Sequence, residues 1–388
     1  MADWSQLPTE LLQQISQKLN NSQLYFLRFR SVCSSWRRSS IPNCHHNHLP
    51  SKLPHFPADE ISYIRHLYKQ NVFLIKPPPT NQTPLHPWLI RIGSDLNGKT
   101  YLYHPLHPHH KYDYLDLDHH LIDFNQLSVL HLRDLFYIHR TKSRLNRRNT
   151  THHDYEKAIV ASTCEAGQPL ALLTFDNNSE LPMIVRCEDD SGTNILTMSG
   201  SLWGDICVFK GRSCVTDING RTFMIGPEDS SVQLLANPVF GGNVKFLVES
   251  ECKTSLLLVD CHGIDIRAGD KDVRFDVFKL DEKEKMWIKL TTLGDMVLIL
   301  GEDGAFSASA LDLRVSKGNC VIFSRNSNII YPDAIQYGLR IFHLDQDRVS
   351  HLSDYPDYMR LFWPPPTWIP KQYNYSKSMF SCIERFLI

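Results

Sequence analysis

The chain has 388 residues, two to three times the usual domain length, of which 42% are hydrophobic, 11% aromatic and 21% charged. This composition excludes a wholly disordered or fibrous protein and leaves room for a large core. Forty-one Lys and Arg against 42 Asp and Glu give a net charge of −1, so no global field favours nucleic acid or an anionic membrane.

Residues 1–42 carry helical spacing. In PTELLQQISQKL, Leu11, Leu12, Ile15 and Leu19 recur at steps of three to four, with Gln13, Gln17 and Lys18 on the other side, which predicts an amphipathic helix opened by Pro8. Asn20 to Ser22 break the pattern and offer an N-cap, a second short helix follows through Leu24, Leu27 and Phe29, and Ser34 or Ser35 starts a third turn carrying Trp36. Residues 43–59 are rich in Pro and His and read as a linker.

From residue 60 to about 345, short β-rich runs recur between turn residues: 72–75, 88–92, 100–103, 158–162, 170–175, 206–209, 245–250, 256–259, 273–280, 296–300 and 339–344. No long helical pattern interrupts them, which argues against βαβ units and for an all-β sandwich, barrel or propeller. DLNGKTYL at 95–102 and DINGRTFM at 217–224 echo each other, and Asn-Gly between strand residues predicts a hairpin with a type I′ turn. Gly220, Gly263 and Gly304 stand 43 and 41 residues apart. That period fits a four-stranded propeller blade and implies six or seven blades. Residues 346–388 read as a tail closing on the propeller, with Phe362 and Trp368 as anchors.

Leu7-Pro8, Glu10-Leu11-Leu12, Ile15 and Leu19, followed by Leu27-Arg28-Phe29-Arg30-Ser31-Val32-Cys33-Ser34-Ser35-Trp36-Arg37, resemble an F-box. The remainder resembles the plant F-box proteins that carry a KIB-type β-propeller, on the segments 201–227, 245–250, 275–310, 317–324 and LFWPPPTWIP at 361–370. The fold class expected is therefore α+β multidomain, a small all-α F-box of about three helices followed by an all-β propeller. The resemblance implies binding to the Skp-type linker of a cullin-RING ubiquitin ligase, with cullin reached through the linker and a protein substrate on the propeller. Independently, about forty helical residues can hardly bury a sufficient core alone, so a partner surface is expected. Leu7, Pro8, Leu11, Leu12 and Ile15 are expected on the linker's helices. Leu19, Leu27, Val32 and Trp36 are expected to share core and interface duties, and Cys33 completes the set. The plainer reading is a helical cap on the β domain with no partner.

Sharper chemistry finds little support. Twelve of the 19 histidines lie between 45 and 120, including His104, His107, His109, His110, His119 and His120. They lack zinc-ligand spacing and read as polar loop composition. Arg140, Lys142, Arg144, Arg147 and Arg148 form a basic run without interleaved aromatics, read as a solvated loop between blades. The ten cysteines contain no CxxC and read as free, mostly buried thiols. No nucleophile elbow or phosphate loop is present. No run of about 20 apolar residues spans a bilayer, and no secretory signal opens the chain. The expectation is a non-catalytic substrate-receptor subunit of an SCF-type ligase in the nucleus or cytoplasm, with no cofactor, metal, nucleic acid or membrane partner. The alternatives are a propeller protein that sequesters the linker or a signalling partner, and a propeller hydrolase.

Overall fold

The computed structural model describes residues 7–19, 23–40, 51–53, 63–77, 85–95, 99–116, 123–142, 155–160, 171–175, 181–186, 193–194, 203–226, 231–263, 273–301, 303–324 and 338–366. Three helices come first: α1 (Thr9–Leu19), α2 (Gln23–Arg30) and α3 (Ser34–Ser39). The Asn20 to Ser22 break and nearly all of the 43–59 linker lie outside the described residues. No helix among the described residues is long and apolar enough to cross a membrane.

Four sheets follow. The first contains β1 (Ser51–Lys52), β2 (Tyr63–Lys76), β3 (Trp88–Ser94), β4 (Thr100–His104), β5 (His107–Asp116), β6 (Ser128–Lys142), β7 (Tyr155–Val160), β8 (Ala171–Phe175), β9 (Pro182–Arg186) and β10 (Thr193–Asn194). Its order is β10-β9-β8-β7-β6-β2-β3-β4-β5, with β1 against β2. The second is the meander β11 (Trp203–Phe209), β12 (Arg212–Asp217), β13 (Thr222–Ile225) and β14 (Val232–Ala236); the third is the meander β15 (Val244–Glu249), β16 (Leu256–His262), β17 (Arg274–Asp281) and β18 (Met286–Lys289). The fourth contains β19 (Met296–Leu300), β20 (Ala305–Ser309), β21 (Cys320–Ser324), β22 (Leu339–His343) and β23 (Arg348–His351) in the order β20-β19-β21-β22-β23. There β19 and β21 run parallel, and the chain crosses between β20 and β21 through the single turn α4 (Ala310–Leu313).

The inner strands meet in a ring: β7 touches β11, β11 touches β15, β15 touches β20, and β20 touches β6, which pairs with β7. Adjacent sheets enclose separate apolar clusters, such as Ile159, Leu173 and Ile184 against Ile206, Val215 and Ile225, or Val259 and Phe275 against Leu298 and Phe323. A few helices followed by a strand-rich, propeller-like domain is the expected class. Among the described residues the strands fall into four sheets. The 14-residue β2 and the 15-residue β6 pair from Tyr63 to Lys76, and the pairing of β6 with β7 at Phe136–His139 joins two blade-like halves, β2–β6 and β7–β10, into one sheet.

Buried polar ties cross the seams of the ring. The Asp205 carboxylate on β11 accepts from Lys157 Nζ on β7 at 2.5 Å and from the Leu247 amide on β15 at 2.8 Å. Ser307 on β20 donates to the Glu249 carbonyl on β15 at 3.4 Å. Asp303, in the β19–β20 turn, takes a bidentate bond from the fully buried Arg91 of β3, the geometry in which arginine binds carboxylate most firmly.

The Asn-Gly hairpin at 217–221 closes differently from expectation. Gly220 N donates to the Asp217 carbonyl at 2.9 Å, and Gly220 has φ +78° while Asn219 stays at negative φ. This is a type I turn followed by a left-handed glycine. The Asp217 side chain accepts from Asn219 N and Arg221 N, both at 2.9 Å, and so replaces the rigidity that a two-residue turn would give. Asp95 and Lys99 repeat the brace, with Lys99 N bound to Asp95 Oδ1 at 2.9 Å, so the sequence echo is also structural; Asn97-Gly98 lies outside the described residues. Gly263 follows β16 just as Gly220 follows β12, whereas Gly304 turns β19 into β20 and belongs to a different connection.

The histidine segment is a second correction. His104 ends β4 and His107 opens β5, and both are buried: the His104 ring stacks on Phe362 at 5.8 Å and meets His107 at 5.2 Å. They are core residues between a hairpin and the C-terminal segment, because an imidazole can stack on apolar rings while its nitrogens find local partners. The side chains of His109 and His110, and residues His119 and His120, lie outside what is described. Arg140 and Lys142 sit on β6 rather than in a loop, and Arg144, Arg147 and Arg148 lie outside the described residues. Beyond α5 (Pro356–Met359), the Leu361 carbonyl accepts from Leu89 N at 2.9 Å and Phe362 is fully buried. Trp368 lies outside the described residues.

Asp205→Ala is expected to cost about 3 kcal/mol or more, because it leaves a largely buried ammonium and a buried amide without their acceptor; the urea midpoint measures it. Cys252 is exposed, and hydroxyls of Ser250 and Thr254 lower its thiol to about 7, whereas burial pushes Cys320 up to about 12 and raises Cys261. Iodoacetamide at pH 7.5 is expected to label Cys252 before Cys207, Cys214, Cys261 and Cys320, read by peptide mass mapping.

Candidate partner-binding face

Helix α1 has two apolar sides with different fates. Leu12 is 0% exposed and Ser16 is buried one turn on, so these two point inward against α2 and α3. Leu11 and Ile15, also one turn apart, are 46% and 38% exposed, and the exposed Pro8 continues their line. Pro8 costs the helix nothing, since its carbonyl receives Leu12 N at 3.1 Å and its missing N–H falls before the first turn. Glu10 in the first turn and Lys18 in the last suit the helix dipole. Leu7 and Leu19 are half-buried at the two ends.

Helix α2 turns the other way. Phe26, Leu27 and Phe29 are buried, and Leu27 joins the cluster of Phe73, Ile75, Trp88, Ile90 and Phe124, flanked by Leu24 and Trp363. Polar bonds seal the contact: Asn125 Nδ2 donates to the Arg28 carbonyl at 3.0 Å, and Phe124 N donates to Ser31 Oγ at 3.4 Å. The helical module thus shares a core with β2–β4 while the outer line of α1 stays open.

The Val-Cys-x-x-Trp corner is mainly architectural. Cys33 is the half-buried N-cap of α3 in extended conformation. The half-buried Trp36 ring lies 4.7 Å from Phe29, and Arg37 Nη2 donates to the Arg30 carbonyl at 3.0 Å, closing the end of α2. Val32, between these helices, is an exposed large apolar side chain.

Of the ten residues expected at the partner, Pro8, Leu11, Ile15 and Val32 are exposed, Leu7, Leu19, Cys33 and Trp36 are half-buried, and Leu12 and Leu27 face inward. Leu12 lies about 100° round the helix from Leu11 and is the one covered by α2 and α3. Tyr25 is also exposed, with Arg28 over its ring at 6.0 Å. The aromatics of the run YFLRF share an arc of about 100° on α2, and the spacing alone does not say which ring is outside. Among the described residues, no group of three or more His, Cys, Asp or Glu could hold a metal ion.

Comparison with known proteins agrees with this division. The F-box domain family model matches residues 4–45, and the KIB1-4 beta-propeller model matches residues 66–349. The chain is 32% identical over 402 residues to the F-box protein SKIP23 of Arabidopsis thaliana, covering 95% of this chain and 96% of that one. It is 30% identical over 401 residues to the F-box protein At2g17036 of the same plant, covering 95% of each. It is 28% identical over 355 residues to the F-box/kelch-repeat protein At2g24250, also of Arabidopsis, covering 87% of each. A helical module with one docked and one open side, set on a ring of sheets and matched over most of its length, belongs to the F-box proteins with a KIB1-4 beta-propeller.

Proposed function

We propose that this chain is the substrate-receptor subunit of an SCF-type ubiquitin ligase, binding a Skp-type linker through α1 and the α2–α3 corner and a client protein through the ring. The observation that carries this reading is the exposed line Pro8, Leu11 and Ile15, with Val32 beside the corner, on a module whose other side is already committed to the ring. Burying such aliphatic side chains is worth about 1.5 to 3 kcal/mol each. The receptor supplies geometry rather than chemistry: it holds acceptor lysines of the client near the charged conjugating enzyme, which cullin brings through the linker. No catalytic residue is required of it, and its site of action is the nucleus or cytoplasm.

The test is co-purification of the full chain with a plant Skp-type linker and cullin. Leu11→Asp with Ile15→Asp is expected to weaken linker binding roughly 100-fold or more, following the loss of two buried side chains, with no change in the thermal unfolding of the free chain. Retention of the linker by this variant overturns the assignment of the face. Linker binding without cullin points to sequestration.

Leu12→Ala behaves differently. Truncating a fully buried leucine destabilises the helical module by about 2–5 kcal/mol, so circular dichroism of the free chain changes before any partner is added.

A further inference from the structure

The loop between β14 and β15 displays Phe240 with 78% of its surface exposed, although the backbone around it is firmly held. Asn237 N donates to the Lys285 carbonyl at 2.8 Å and Val239 N to the Asn219 carbonyl at 2.7 Å. Past the ring, Gly242 N donates to Asp260 Oδ2 at 3.0 Å and Asn243 N to the Cys261 carbonyl at 2.9 Å. Beneath the loop, the fully buried Lys245 pairs with the buried Asp260 and donates to the Gly242 carbonyl at 3.0 Å. A Cβ at Gly242 would collide with the Cys261 carbonyl, so the loop lies as close to β16 as a backbone can. Phe240 is therefore an aromatic side chain carried on a backbone that is held in place before anything binds it, which lowers the ordering cost of an interface.

The charges around it are sorted by depth. On one side, Gly220 packs on Val239, and Arg221 follows at 44% exposure over Asp217 at 0%. On the other, Gly241 packs on His262, which pairs in register with Arg274. Arg274 and Lys289, 49% and 57% exposed, both bind Asp276, which is 16% exposed, at 3.1 and 2.8 Å. Asp260 is 2% exposed. Asp217 and Asp276 are thus withdrawn beneath cations that stand in solvent, and Asp260 is neutralised by the buried Lys245, so the face shown to a partner is positive around an apolar centre. Attraction between such a rim and an anionic partner governs orientation and encounter.

We propose that Phe240 with Arg221, Arg274 and Lys289 forms a docking surface for an acidic peptide segment that carries an apolar side chain. The proposal rests on the receptor reading, for which it supplies the chemistry of the client. The probe is a random 12-residue peptide library displayed on phage, selected on the immobilised full chain and counter-selected on Phe240→Ala. Retained peptides are expected to be net negative with at least one aromatic or aliphatic residue. A synthetic representative is expected to bind at least about 10-fold more weakly to Phe240→Ala, and to Arg274→Gln with Lys289→Gln, and to lose affinity as salt rises.

A neutral or basic pool, no enrichment, or equal binding to Phe240→Ala overturns the proposal. A dimer of the free chain that disappears in Phe240→Ala also overturns it, by giving the surface to a second copy. Thermal unfolding of each variant separates lost binding from lost folding. Linker co-purification is read separately: intact linker and cullin recruitment with no peptide selected sinks this surface alone, and selected peptides without cullin recruitment sink the receptor reading.

Discussion

The ring closes because one buried carboxylate serves three strands. Asp205 on β11 takes a proton donor from Lys157 on β7 and another from the backbone of β15. Apolar packing between sheets is strong yet indifferent to register, since one face slides past another at little cost. A buried ion pair has no such freedom: a displaced carboxylate would strand both charges away from water. Asp303 with Arg91 plays the same part at the seam between the fourth sheet and the first. Hydrophobic clusters therefore supply the cohesion of the ring, and these few polar ties fix the positions of its sheets.

That fixed frame matters at two surfaces of the molecule. Leu27 and its neighbours root α2 in the cluster around Trp88 and Phe124, so the open line of α1 is carried on the body of the ring. The Phe240 loop is rooted in its own way, through a lysine and an aspartate hidden below it. A receptor that works by holding two partners at a set separation needs both surfaces on one stiff support, since effective concentration falls as a connection loosens. The helical module as a cap on the β domain and as a partner surface are consequently compatible readings, since one side of the same forty residues is docked and the other is open.

Several misreadings have a common origin. The period of apolar positions in α1 was legible, but Leu11 and Leu12 are neighbours on the same broad stripe, and only α2 and α3 decide which is covered. His104 and His107 look polar in a list of residues, yet His104 stacks on Phe362, more than 250 positions away, and His107 packs on His104, which makes them core. Arg140 and Lys142 look like the start of a basic loop, yet they sit on the long strand β6, stabilised along its length by pairing with β2. In each case a distant partner overrides local composition.

The sequence by itself determined the two-part organisation, the three helices, eleven of the strand positions, the place of the hairpin at 217–221 and the family resemblance. All of these rest on interactions between residues close in the chain, or on motifs kept within a short span. Tertiary structure alone decided the merging of two blade-like halves into one sheet, the crossover at α4, the inward face of Leu12 and the depth-sorting of charge around Phe240. Those features depend on which strands meet and how far water reaches between them, and neither is encoded at any single position.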